Sequence, residues 1–263
     1  MIGKSLRNRL RSLTKSLLQL NLAILSGLAA FNLSAALIIV EPSENSYKDI
    51  QEALIIAEPG DVVRLTGGTF VIKDGLSLDV PGVKIEGEGM DASILEFSNQ
   101  KSGAQGLLVT SDNVTLQDFA VVNAKGDAIK SKGADNISFI RVKTEWTGGP
   151  KTTNGAYGLY PVESENILID DCVAIGASDA GIYVGQSKNI IVKNSFVKHN
   201  VAGIEIENSF YADVFDNLAE ENTGGILVFD LPDLPQQGGH HVRVFNNKVG
   251  VRWVQSYSKP RSK

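Results

Sequence analysis

The feature that most constrains this chain is a repeat. A Gly or Ala followed by an alternating apolar triplet recurs at Gly106-Leu-Leu-Val, Ala128-Ile-Lys-Ser, Gly158-Leu-Tyr-Pro, Gly181-Ile-Tyr-Val, Gly203-Ile-Glu-Ile and Gly225-Ile-Leu-Val, at spacings of 22, 30, 23, 22 and 22. A second series, Asn113-Val-Thr-Leu, Asn136-Ile-Ser-Phe, Asn166-Ile-Leu-Ile and Asn189-Ile-Ile-Val, is spaced by 23, 30 and 23. Two series that share one period and one enlarged interval mark a single structural unit. The apolar residues alternate within each unit, as half-buried strands require. At about 3.3 Å per residue, such a unit makes a loop of roughly 70 Å, one coil of a parallel β-solenoid. A helical repeat needs longer units and a 3.6-residue period. Leucine-rich repeats share the length but carry a leucine consensus that is missing here.

Aligned coils place Asp118, Arg141, Asp171, Asn194, Asp216 and Asn246 at one position. This column reads as stacked turn residues that hydrogen-bond one another, not as a catalytic cluster. Ahead of the coils, residues 46–57 read as a capping helix with Ile50, Ala53, Leu54 and Ala57 on one face. Ser46 is the expected N-cap and Asp49 the acidic partner of a capping box. Such a helix covers the open apolar end of a solenoid. Asp61-Val-Val-Arg-Leu begins the first coil in this reading.

Charge divides the chain in three. The 263 residues hold 25 Lys+Arg and 30 Asp+Glu. Residues 1–36 carry five basic residues and no acid, and so do residues 248–263, which leaves the body at −15. Such a body is no nucleic-acid binder, because phosphates need a basic face. The basic start, the apolar stretch Leu17–Ala30 and the small residues Ser34-Ala35-Ala36 read as a secretory signal cleaved before Leu37. The stretch is short, and interrupted by Gln19 and Asn21, for a membrane anchor of about 20 apolar residues. The mature chain is therefore expected in the periplasm or outside the cell, as a monomer with no membrane span. The single cysteine, Cys172, reads as a small core residue of a strand.

Particular stretches carry a family resemblance. Ile50-Gln-Glu-Ala, Pro59-Gly-Asp-Val-Val-Arg-Leu, Gly67-Gly-Thr-Phe and Val83-Lys-Ile-Glu-Gly-Glu-Gly resemble the start of pectate-lyase-like right-handed β-helix proteins. Glu145-Trp-Thr-Gly-Gly-Pro, Asn154-Gly-Ala-Tyr-Gly-Leu-Tyr-Pro-Val, Asp179-Ala-Gly-Ile-Tyr-Val-Gly-Gln-Ser and Gly224-Gly-Ile-Leu-Val-Phe-Asp-Leu-Pro resemble an exported bacterial subfamily of parallel β-helix repeat proteins. The likeness covers residues 37–249. It implies an all-β fold, a single-stranded right-handed parallel β-helix of about 22 residues per coil. The superfamily holds polysaccharide lyases, glycoside hydrolases and uronan epimerases beside non-catalytic members, so the resemblance alone assigns no activity. Family members look longer, and residues 250–263 match no coil; the chain is expected to be a truncated or frame-shifted copy, with a makeshift basic cap as the rival reading.

Strand alternation locates the candidate chemistry. The middle residue of each Gly-apolar-x-apolar strand points outward. One face thus gathers Asp127, Lys130, Asp179 and Glu205 as catalytic candidates. It also gathers Tyr157, Tyr160, Tyr183, Lys132 and Glu207 as substrate-binding candidates. Aromatic rings stack on sugars, while carboxylates and lysines move protons. Insertions at 147–154 and 229–239 should wall a groove over this face. The expected partner is a polysaccharide or other glycan, cleaved by lyase, epimerase or hydrolase chemistry. Glu205 with Asp179 is the pair for a hydrolase. A lyase would use Lys130 or a Tyr as base and Ca²⁺ on the carboxylates. No arginine, the common base of the pectate lyases that the resemblance points to, lies on the face. The alternative is a non-catalytic solenoid that binds a glycan or an exported protein. His240-His241 should point in opposite directions on a strand and make a poor chelate. His199 reads as exposed in a turn. Three His, one Cys and two Met are a thin ligand supply for a metal or redox role.

Overall fold

A computed structural model describes residues 35–250. Residues 1–34, most of the stretch expected to be an export signal, and the tail beyond Gly250 lie outside the described residues. Within them the chain winds through three strands per coil. The first sheet takes Leu37–Val40, Val62–Leu65, Lys84–Glu86, the leading halves of Thr115–Val122 and Ser138–Glu145, then Glu165–Asp170, Lys188–Lys193, Phe210–Phe215 and His240–Phe245. The second takes Gly68–Val71, Ser93–Glu96, the trailing halves of the two long strands, Val173–Ile175, Phe196–Lys198, Leu218–Glu220 and Lys248–Gly250. The third takes Leu76–Leu78, Gln105–Val109, Asp127–Lys132, Leu159–Val162, Ala180–Gly185, Ala202–Glu207 and Gly224–Phe229. The two long strands run through the first corner, so the first two sheets form one 15-stranded ladder beside a 7-stranded third. Pairing is parallel throughout these sheets. The solenoid begins earlier than Asp61, because Leu37–Val40 already pairs with Val62–Leu65. Pairing also includes Gly250, the partner of Glu220.

Inward residues stack in register from coil to coil. Leu107, Ile129, Leu159, Ile182 and Ile204 are partners along the third sheet, each at most 1% exposed. Burial of each such side chain contributes about 1.5–3 kcal/mol.

The corner between the first and second sheets is a single left-handed residue. Asp118, Arg141, Asp171, Asn194, Asp216 and Asn246 have φ of 59, 49, 55, 53, 55 and 54°. The column is thus structural, as the repeat suggests, but backbone conformation selects it. Asn and Asp tolerate this region best among non-glycines. Arg141 is held there by two bonds to Asp118, at 2.6 and 2.8 Å. The amide stack belongs to the other series. Asn136 donates to Asn113 at 3.0 Å, Asn166 to Asn136 at 2.8 Å and Asn189 to Asn166 at 3.1 Å. Asp171→Ala should cost about 1 kcal/mol, because Ala has no preference for the left-handed region. Asp171→Asn should leave stability unchanged. Urea-unfolding midpoints of the two variants check this, and equal losses would disprove the conformational account.

The corners are also stitched from inside. Ser164, Ser187 and Ser209 form one buried ladder, each hydroxyl taking a backbone N–H from the coil before. Cys172, Ser195, Asn217 and Asn247 form another, with bonds of 3.2, 2.9 and 2.9 Å. Cys172 therefore sits in a corner rather than in a strand. It is 1% exposed, and burial pushes its thiol up to about 12. A buried group left without a partner would cost about 1–3 kcal/mol, and these side chains remove that penalty.

The helix, α1, spans Ser46–Ile56 and buries Ile50, Ala53 and Leu54, with Ala57 just beyond it. Its start differs from the capping box expected of Ser46. The residue before the helix is Asn45, whose side chain makes no cap bond. Ser43 instead closes the turn ahead of the helix. Its hydroxyl receives the Asn45 N–H at 2.9 Å and donates to Asp49, while the Ser46 hydroxyl turns back to the Ser43 carbonyl at 2.7 Å.

Candidate functional site

The third sheet presents the predicted outward column. Leu108, Lys130 and Tyr160 are register partners, as are Tyr183, Glu205 and Leu227, and Val162 pairing with Gly185 joins the two sets. Tyr157 enters from the loop ahead of Leu159–Val162. Just ahead of it the chain passes tightly over the coil below. A Cβ on Gly155 would collide with the Gly126 carbonyl and lie 2.7 Å from the Trp146 ring.

Three tyrosine rings form one cluster. Tyr157 and Tyr160 have centroids 4.6 Å apart, Tyr157 and Tyr183 4.7 Å, and Tyr160 and Tyr183 4.8 Å. The Lys130 ammonium stands 4.2 Å over the Tyr160 ring, a cation–π contact. The Tyr183 hydroxyl donates to Glu207 Oε2 at 2.8 Å. Gly185 makes room for this reach, since a Cβ there would meet Tyr183 Cζ at 2.7 Å. Tyr183→Phe would leave the Glu207 carboxylate, only 6% exposed, without that donor. The expected loss is about 1–3 kcal/mol of stability, read from urea unfolding.

The carboxylates of this face are not a solvated surface. Glu205 is 8% exposed, and no hydrogen-bond donor reaches it among the described residues. Burial, then the charges of Asp179 and Glu207, push its carboxyl up to about 7. Burial also raises Asp127, against the pull of Lys130. Burial raises the Tyr157 hydroxyl first, and the Asp179 carboxylate beside it adds to the effect. Strand alternation identified Glu205 and Glu207 as outward but could not show their burial. The sequence signal is the run of tyrosines in the two coils beneath them.

Other expectations change. Lys132 leaves the cluster for an ion pair with Glu163 at 3.5 Å. The insertions do rise at opposite edges of the sheet. The 147–154 loop is tied by Asn154 to the Gly176 carbonyl at 2.6 Å, and the 230–239 loop by Asn208 to Leu231 and Gln236. Cavities beside them, of about 320 and 630 Å³, open over the turns. His240 and His241 do not diverge. His241 is left-handed at φ 58°, which breaks the alternation, and the two Nδ1 atoms lie 2.6 Å apart. His199 is half-buried and 2.6 Å from Glu221. No three His, Cys, Asp or Glu side chains gather as metal ligands among the described residues. No helix among the described residues is long and apolar enough to cross a membrane.

Comparison with solved structures places this architecture. A polygalacturonase from Erwinia carotovora ssp. carotovora aligns at TM-score 0.57 and 15% identity, over 83% of this chain and 71% of that one. An alginate lyase from Paenibacillus sp. str. FPU-7 aligns at 0.52 and 14%, over 82% and 98%. The pectate lyase Pel9A aligns at 0.50 and 13%, over 83% and 80%. At these identities the likeness is one of fold, shared with enzymes whose names mark them as acting on polysaccharides. No curated protein matches the sequence. Residues 81–235, more than half of the chain, match the right-handed β-helix region family, and the chain belongs to that family.

Proposed function

We propose that the protein is an exported enzyme that hydrolyses a polysaccharide on its third sheet. The observation that carries this reading is Glu205, a buried carboxyl held near neutrality among Asp179 and Glu207, beside a three-ring aromatic surface. A carboxyl that titrates near pH 7 suits a general acid, and a second carboxylate nearby suits the base. In this reading Glu205 gives its proton to the glycosidic oxygen as the C–O bond breaks. Asp179 takes a proton from the water that attacks the anomeric carbon, so water is added across the bond. Tyr157 and Tyr160 stack the sugar, while Tyr183 and Glu207 brace one another. Lys130 and Asp127 stand beside the rings. Residues 1–36 serve as the export signal that brings the chain to its polymer.

The test incubates the purified chain with polygalacturonate, alginate and neutral glucans, mannans and xylans. New reducing ends without unsaturated uronate are the expected result. Unsaturated uronate would replace hydrolysis by the lyase reading. Binding without any product would replace it by a non-catalytic glycan-binding solenoid.

A further inference from the structure

A depression of about 680 Å³ opens on the first sheet, away from the tyrosine cluster. Its floor is apolar: Leu168 and Ile191 are register partners, and Ile191 is 41% exposed. Along one side runs the end of the asparagine stack. Each amide in that stack donates to the Oδ1 of the coil before it. The next coil has Tyr211 at this position, paired one step along from Phe210 and Lys188. A tyrosine has no amide to give, so Asn189 Oδ1 ends the stack with no donor among the described residues. The Tyr211 ring is 54% exposed and stands 5.0 Å from His241. Across the floor, Arg243 holds Asp213 through Nε at 2.7 Å and Nη2 at 2.5 Å. Its Nη1 has no partner among the described residues, and its charge is cancelled by the pair.

We propose that this depression is a second, non-catalytic site for a neutral saccharide chain. A pyranose ring has one C–H face and a rim of hydroxyls. An exposed tyrosine beside an aliphatic floor fits the face. An open amide oxygen and an open guanidinium N–H fit the rim. The only guanidinium of the site is already paired, and the body carries −15, so a polyanion has nothing there to neutralise it. The site lies on another sheet and holds no acid–base pair, so it stands whether or not the third sheet turns substrate over.

Isothermal titration of the full chain with cellohexaose, mannohexaose and xylohexaose tests it, with a hexagalacturonate as the charged arm. A neutral hexaose should bind, and Tyr211→Asn should weaken it about tenfold or more. Asn suits the φ of 56° at this position and supplies the missing ladder amide, so the variant should keep or raise its urea midpoint while losing the ring. Tyr160→Ala, on the third sheet, should leave this binding in place. Failure of every neutral hexaose to bind overturns the proposal. So does unchanged affinity in Tyr211→Asn, preference for the charged hexamer, or loss of binding in Tyr160→Ala.

Discussion

Glu205→Gln should cut turnover by about 10²–10⁴-fold while leaving glycan binding nearly intact. Gln keeps the shape of the buried side chain but has no proton to deliver. The parent's rate should fall as pH rises through about 7, where Glu205 ionises, and the residual rate of the variant should lack that limb. Stability moves with the same group. The carboxyl titrates at about 7 in the fold and near 4.5 in the unfolded chain. Below about 4.5 it is neutral in both states and costs nothing. Between 4.5 and 7 the native state keeps a proton that the unfolded state has released, so stability falls as pH rises through that window. Glu205→Gln should remove this slope and stabilise the protein above pH 7 relative to the parent. Urea midpoints on either side of the window measure it. A parent slope that survives the substitution would show that Glu205 is not the buried acid.

Most of the coil geometry was legible, and the exceptions share a cause. Alternation within strands and the shared period fixed which residues are register partners, so the line from Lys130 through Tyr160 and Tyr183 to Glu205 could be drawn from spacing. Alternation says nothing about corners. The inner ladder of Cys172, Ser195, Asn217 and Asn247 lies where the chain leaves a strand, and strand alternation cannot separate Cys172 from the strand beside it. His241 shows the same limit, because its left-handed backbone turns the imidazole toward His240. Outward also proved different from exposed. Glu205 and Glu207 face away from the core but are 8% and 6% exposed, which depends on the size of neighbouring side chains in other coils.

Two phenylalanines separate core packing from surface stacking. Phe139→Ala should cost about 3–5 kcal/mol, whereas Phe245→Ala should cost about 1 kcal/mol. Phe139 is 0% exposed inside the first sheet, with Phe119 also fully buried in the coil before. Removing its ring forfeits the transfer term and leaves a cavity that the coils around it resist closing, because the corners at Asp118, Arg141 and Asp171 are left-handed and the Cys172 ladder ties the next coil. Phe245 is 41% exposed and lies on the outer face, stacked on Phe215 at 5.0 Å with the rings 7° from parallel. Its loss removes one ring contact and opens no interior space. The location of the damage should differ as well. A coil touches only its neighbours, so a defect at Phe139 weakens the link between the two halves of the solenoid. Amide exchange should then speed up first in Thr115–Val122, Ser138–Glu145 and Glu165–Asp170. Equal losses in the two variants, or exchange that rises uniformly along the chain, would mean that the core does not carry the stability assigned to it.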